Sequence, residues 1–408
     1  MLSQAFVALL LATDVLATPL VQRNKPLITV PIARRVNATS ARDLLKIDQA
    51  RAKAFKNKPA AQPHHGTVSA AAATFGIPIT NEAVNYAMTV GVGSPATTFS
   101  LLVDTGSSNT WVGADQANPF VVTSTSQDTG NLVAMLGEEF LDQLTLGDVV
   151  IENQSLGAAL FSEGFSGVDG IIGLGPTDLT CGTLFPDEGD CIPTVTDNAF
   201  SQGLISEDIV GISFAPTTSL SDTNGEITFG GVDASKFTGD ILFVPITSTS
   251  PSSEFVGIDQ SITYGAAKTP ILSSTSGITD TGTTLLLIAS DALATYESVT
   301  GAVPDEDTGL LRLTPAQFSS LESLLFTIGG TSFEFTPNAQ IWPRALNTAI
   351  GGTDDFVYLI VGDLGTDSGS GMDFINGMTF LERFYTVFDS GNSQFGIALS
   401  PSTNSTSN

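Results

Sequence analysis

The sequence predicts an all-β architecture, on three observations. Short segments rich in β-branched and aromatic residues recur along the chain, each bounded by Gly, Pro, Asn or Asp; residues 86–90, 99–103, 226–229, 240–244 and 384–388 are the clearest. The 40 Gly and 20 Pro supply the turns that such strands need. Helical periodicity in the main body is brief, confined to residues 196–202, 289–300 and 314–325. A chain of 408 residues with 42% apolar and 14% charged residues can bury a substantial core, which excludes a peptide, a small disulfide scaffold and a disordered protein.

The segments follow in order. Residues 1–17 hold an apolar run over 5–12 and a small-residue cleavage site ending at Ala17, the pattern of a signal peptide and so of a secreted, extracellular protein. Residues 18–75 read as a basic pro-segment. The first 75 residues carry ten basic groups and three acids, whereas the rest carries 5 basic against 39 acidic, or −34 within a total of −27. Ser40 followed by Asp43 resembles a capping box, and Leu44, Ile47 and Ala54 among Arg and Lys predict a basic amphipathic helix to about Phe55. Pro59, Pro63 and the small-residue run 69–73 predict a cleavable linker. The body closes on a polar tail, 401–408.

Composition also removes function classes. An acidic body repels a phosphate backbone, and no stretch beyond the leader reaches the roughly 18 apolar residues of a membrane span, so neither nucleic acid nor membrane is an expected partner. Asn37, Asn153 and Asn404 fit the N-glycan acceptor pattern, consistent with secretion. Both histidines, His64 and His65, lie in the head, so a processed body has none. That excludes a Ser-His or Cys-His nucleophile and a His-ligated metal there, and no metal or cofactor is expected. Cys181 and Cys191 are too few for a thiolate zinc site; lying close together between turn residues, they read as a small-loop disulfide, with two free thiols as the alternative.

Asp-Thr-Gly occurs at Asp104, Asp128, Asp280 and Asp307, and context separates the four. Asp104 ends an apolar strand and leads into Ser107-Ser-Asn-Thr-Trp111, while Asp280 follows Ile278 and leads into Thr283-Thr-Leu285. Asp128 and Asp307 lie in polar surroundings and read as solvated turns. Two strand-end carboxylates in matched frames, brought together by a pseudo-twofold axis, cannot both ionise at close range. One then serves as a base that activates water and the other as an acid, without a covalent intermediate.

Residues 102–112 resemble the first active-site motif of the pepsin-like aspartic proteases, and residues 280–285 the second. The resemblance runs on through 169–175, 227–231 and 380–389, in family order, and is closest to secreted fungal, polyporopepsin-like members. It implies an all-β bilobal fold with few short helices, two β-rich lobes related by pseudo-twofold symmetry meeting at a central six-stranded sheet. The N-terminal lobe would be residues 76–216 and the C-terminal lobe 217–400, each with one Asp-Thr-Gly. By position Asp104 and Asp280 are the catalytic dyad, Thr105 and Thr281 cross-link the loops, Gly106 and Gly282 complete the motifs, and Ser107 and Thr283 hydrogen-bond the carboxylates. The implied activity is an aspartic endopeptidase acting on extended peptides or proteins.

Three features depart from the family pattern. The flap, a hairpin over the cleft whose Tyr pairs with the Trp found here as Trp111, is short by about seven residues, leaving Met135 and Leu136 to cover the dyad. Asn376 stands where an apolar residue supports the second active-site loop, and needs partners if buried. The Cys pair falls in the first lobe rather than the second. These features leave open an enzyme with a short flap, a catalytically inactive binding or inhibitory protein on the same scaffold, and a hairpin lost at an exon boundary. Glycoside hydrolases also use paired carboxylates, but theirs need no matched frames.

Charge further predicts a zymogen. Residues 18–75 carry +8 against the acidic body, so the segment docks as an intramolecular inhibitor near neutrality and is released as carboxylates protonate. The family places a Lys on its dyad, which points to Lys56 or Lys58. Activity below about pH 5 and a monomer are expected.

Overall fold

The computed structural model describes residues 27–36, 43–57, 84–133, 137–159, 167–187 and 189–407. The leader, Ser40, Lys58, both histidines, the linker up to residue 83, Met135 and Leu136 lie outside the described residues.

All five predicted strand segments fall within strands: Val84–Val92, Thr97–Asp104, Ser221–Phe229, Thr238–Pro245 and Phe384–Asp389. The described strands form sheets of 14, seven and three. In the largest, Thr97–Asp104 runs parallel to Gly170–Gly173, which pairs antiparallel with Thr110–Val112, and that strand runs parallel to Val149–Ala159. The seven-stranded sheet repeats this sequence of pairings. Thr269–Thr279 runs parallel to Phe374–Asn376, which pairs antiparallel with Leu286–Ile288, and that strand runs parallel to Val361–Asp363. Parallel neighbours require long crossovers rather than hairpins, so recurrence of the whole set is the imprint of a pseudo-twofold axis. This is the all-β, two-part architecture that the sequence predicts.

Six strands run side by side between the two repeats: Gln394–Leu399, Phe384–Asp389, Ile209–Ser213, Ser221–Phe229, Ile28–Val36 and Val84–Val92. The fifth belongs to the basic head, for which only a helix and a linker are expected from the sequence. Its residues alternate, with Ile28, Val30 and Ile32 buried between exposed Thr29 and Pro31, the period of a half-buried strand. Arg34, fully buried, sets Nε 2.8 Å from a carboxylate oxygen of buried Glu382. The head then forms the helix Leu44–Asn57, which buries Leu44, Ile47, Asp48, Ala52 and Phe55 on one face.

In the body, Val195–Ser201 and Ser290–Thr300 match their expected helices. Residues 314–325 do not. The helix there is only Pro315–Phe318, opened by a Thr314–Gln317 capping box, and Leu324–Ile328 is a strand with alternating burial. The pattern Leu-Leu-Phe-Thr-Ile fits period 2 better than 3.6, and cross-strand pairing with Thr331–Phe335 decides it. Phe380, in the short helix Met378–Leu381, packs against Phe326, Phe335 and Phe384 at ring separations of 5.0, 5.7 and 4.9 Å, fixing the chain that follows Asn376. Cys181 and Cys191 are joined in a disulfide, as the first of the two sequence readings expects. No described helix is long and apolar enough to cross a membrane.

Candidate active site

The strand ending at Asp104 and the strand ending at Thr279 each deliver an Asp-Thr-Gly turn to the contact between the two repeats. Both carboxylates are buried, and their surroundings match bond for bond. Gly106 N–H donates to Asp104 Oδ1 at 3.0 Å, and Gly282 N–H to Asp280 Oδ1 at 3.0 Å. Ser107 Oγ donates to Asp104 Oδ2 at 2.5 Å, and Thr283 Oγ1 to Asp280 Oδ2 at 2.6 Å. The loops are cross-tied: Thr105 N–H donates to Thr281 Oγ1 at 2.9 Å, and Thr281 N–H to Thr105 Oγ1 at 3.0 Å. The Thr281 hydroxyl in turn donates a hydrogen bond to the Val103 carbonyl at 2.8 Å. Each turn therefore holds its carboxylate with one amide and one hydroxyl, and each Thr fastens the opposite turn.

The glycines let the turns meet. A Cβ on Gly106 would stand 2.7 Å from Asp280 Oδ1, and one on Gly282 would stand 2.5 Å from Asp104 Oδ1, both inside van der Waals contact. Asp128 and Asp307 are exposed and distant in role: Asp128 Oδ1 merely accepts the Gly130 amide, and Asp307 sits in a turn. Trp111, buried in Thr110–Val112, packs with Leu102, Ala114 and Ile171.

The basic group on the dyad is Arg51, a residue sequence reasoning overlooks. Its Nε donates to Asp280 Oδ2 at 2.8 Å and its Nη2 to Asp280 Oδ1 at 3.2 Å, while Nη2 also meets Asp104 Oδ1. Phe55, one turn on, lies under the guanidinium with its ring 4.8 Å from Cζ, and packs at a tilt against Phe255 with ring centroids 4.8 Å apart. Asp48, one turn earlier, is buried and accepts the amides of Leu285 at 2.7 Å and Thr284 at 3.3 Å. Lys56 instead donates to the Thr366 hydroxyl, at the far end of the helix. The expectation of a Lys on the carboxylates therefore fails for Lys56, because residues 48, 51 and 55 occupy the inward stripe of the helix and residue 56 falls beside it.

The electrostatics are asymmetric although the frames are not. Burial raises the pKa of Asp104, assisted by the Asp280 charge and opposed by Arg51. Burial acts on Asp280 in the same sense, but the Arg51 charge, its hydrogen bonds, the Thr283 hydroxyl and the Gly282 amide outweigh it and hold Asp280 low. Two guanidinium nitrogens on Asp280 against one on Asp104 account for the direction: Asp280 is the more readily ionised of the pair. Burial also drives Asp48 up to about 7, against the two amides and Arg51.

The departures have structural answers. Asn376 is fully buried and makes a reciprocal amide pair with Gln260, Nδ2 to Oε1 at 2.9 Å and Nε2 to Oδ1 at 3.1 Å, while its carbonyl accepts the Asp280 amide at 3.2 Å. Gln260 is the partner that sequence reasoning misses. The hairpin of Gln127–Val133 and Gly137–Leu146 closes on the pair Val133 and Gly137 and takes a third strand, Leu184–Phe185, on its outer edge. Among the described residues no group of His, Cys, Asp and Glu is placed to hold a metal ion.

The family described as "Eukaryotic aspartyl protease" matches residues 85–132 and 124–400. Polyporopepsin of Irpex lacteus is 60% identical over 339 residues, covering 81% of this chain and 99% of that protein. Pepsin A of Sus scrofa is 29% identical over 337 residues, 77% of this chain and 80% of that protein. The crystal structure of aspartic proteinase from Irpex lacteus superposes with a TM-score of 0.79 at 52% identity, covering 94% of this chain and all of that one, 100%. With the paired frames, this places the chain among the pepsin-like aspartic proteases, a polyporopepsin-like member and an aspartic endopeptidase.

Proposed function

We propose that this chain is a secreted zymogen whose mature form hydrolyses extended peptides and proteins in acid through a water held between Asp104 and Asp280. The observation that carries the reading is the matched pair of frames, in which each carboxylate is held by one amide and one hydroxyl and lies over the opposite glycine. With Arg51 gone, the pair shares one proton. The ionised carboxylate takes a proton from the water as it attacks the scissile carbonyl, and the protonated one supplies a hydrogen bond and then a proton to the substrate side. Ser107 and Thr283 keep the outer oxygens in place, with Thr105 and Thr281 joining the loops and Trp111 bracing the first. No covalent intermediate is required.

Residues 1–17 are the leader and 18–75 the inhibitory segment, with 76–216 and 217–400 as the two lobes of a monomeric enzyme. Arg51 supports the inhibitory role, because substrate and Arg51 need the same space against both carboxylates. The +8 segment on an acidic body loses attraction as carboxylates protonate, which favours release in acid. The test is the secreted full chain, exposed to acid and then assayed on a denatured protein at about pH 4, with and without a transition-state-analogue peptide. Activity that appears on acid treatment and vanishes with inhibitor supports the reading. A folded, processed chain without activity would favour the inactive binder that the short hairpin raises.

A further inference from the structure

The disulfide-closed loop lies between two parts of the site and touches both. Thr183, within the loop, accepts the Asn109 side-chain amide at 3.0 Å and donates its hydroxyl proton to Thr180 O at 2.6 Å. Asn109 is five residues after Asp104, in the loop that joins Thr97–Asp104 to Thr110–Val112. The next residues of the loop, Leu184 and Phe185, pair with Val133 and Leu132 at the edge of the hairpin. Leu184 and Val133 close a small apolar cluster with Ile192, separate from the main core, so the hairpin edge is anchored to this loop. The neck of the loop is held twice, by the disulfide and by Ile192 N–H on the buried Thr180 hydroxyl at 2.7 Å. A Cβ on Gly157 would touch Trp111 at 3.0 Å and Val133 at 3.7 Å, so the same hairpin edge packs towards the strand that follows the Asp104 turn.

The geometry points to the Cys181–Cys191 loop as a positioning element of this enzyme, tying the Asp104 turn and the short hairpin into one unit through Thr183 and Leu184. Leu132 and Val133 form the outer edge of the hairpin, and a third strand pinned by a covalent ring lends that edge rigidity. Thr183 is then a positioning residue acting through Asn109, a claim that rests on the dyad reading for its catalytic consequence but not for its structural one.

Two arms test it. In the folded full chain, Cys191 is exposed, so phosphine reduction and alkylation of both thiols is a mild perturbation; amide exchange over residues 127–133 is expected to accelerate about tenfold or more relative to the central sheet, as a freed edge strand opens locally. In the acid-converted enzyme, Thr183→Val is expected to lower kcat/KM per folded molecule about three- to tenfold, the rate equivalent of one neutral hydrogen bond, with Thr183→Ser at the parental value. Unchanged exchange on reduction, or parental kcat/KM in Thr183→Val, would overturn the proposal. A fall in thermal midpoint with kcat/KM intact well below it would reduce the loop to a structural staple and overturn it equally. If the parent enzyme proves inactive the dyad reading fails, and the exchange arm alone still decides the loop.

Discussion

Gly282 faces Asp104 across the molecular pseudo-twofold axis, with space for a hydrogen but not for a methyl group: a Cβ there would sit 2.5 Å from the carboxylate oxygen Oδ1. The Asp-Thr-Gly frame thus requires its third residue for the sake of the other repeat's first. Gly282→Ala should leave the fold intact and push the Asp104 carboxylate off its Gly106 amide, and displacement of about 1 Å in a positioned group costs on the order of a hundredfold in rate. Peptide hydrolysis with circular dichroism on the same sample checks it; parental kcat in a well-folded Gly282→Ala protein would contradict the packing argument.

Arg51 is the residue that blocks the carboxylates, so its removal should weaken latency more than removal of any Lys in the head. Hydrogen bonds to charged groups are worth about 1.5–3 kcal/mol, so Arg51→Ala should speed loss of the head segment at least about tenfold near pH 5. Lys56→Ala, which loses a hydroxyl contact and the pull of Asp363 and Asp373 but nothing on the dyad, should change the rate much less. Equal effects from the two substitutions, followed by gel time course, would remove Arg51 from its special place.

Asp48 runs against the general weakening of docking in acid. Its pKa rises from 3.8 in the free segment to about 7 when docked, chiefly through burial, so the docked state binds the extra proton. The contribution of Asp48 is therefore fully present below its free pKa and is lost as pH rises through about 7. Asp48→Asn, neutral throughout, should flatten the fall in thermal midpoint of the full chain between pH 5 and 8 relative to the parent. Superimposable pH curves for the two proteins would show that the Asp48 carboxyl does not titrate between docked and free states.

The Asn376 and Gln260 side chains satisfy one another where both are buried. Asn376→Leu leaves the Gln260 amide buried without a partner, at about 1–3 kcal/mol, whereas Asn376→Leu with Gln260→Leu removes both and should recover most of that loss. Denaturant unfolding of the four proteins of the cycle measures it. Additive losses would mean that the pair is not coupled.

Legibility from sequence followed the physical range of each interaction. The matched Asp-Thr-Gly turns were readable because strand, carboxylate, glycine and hydroxyl are contiguous, and the structure joins them as the local frame implies. Arg51 is equally local: Leu44, Ile47, Asp48, Arg51, Ala52 and Phe55 form one helical stripe, and a carboxylate and a guanidinium set among buried apolar residues mark the side that meets the body. The strand Ile28–Val36 was masked by Pro31 and by the weight of charge in the head, although its alternation is plain once Arg34 is counted as inward. The Gln260 partner lies 116 residues from Asn376 and carries no local signal. The strand Leu324–Ile328, whose first two residues fall in the helix expected over 314–325, shows pairing with a neighbour overriding a short ambiguous run.

The most direct test of the proton-sharing pair is kcat/KM on one peptide near its acid optimum for the converted parent, Asp104→Asn and Asp280→Asn, with folding verified for each. Both substitutions should abolish turnover, by about a thousandfold or more, because neither carboxylate performs both proton transfers alone. A folded Asp104→Asn or Asp280→Asn protein that retained more than about a tenth of parental activity would contradict a catalytic centre built from both.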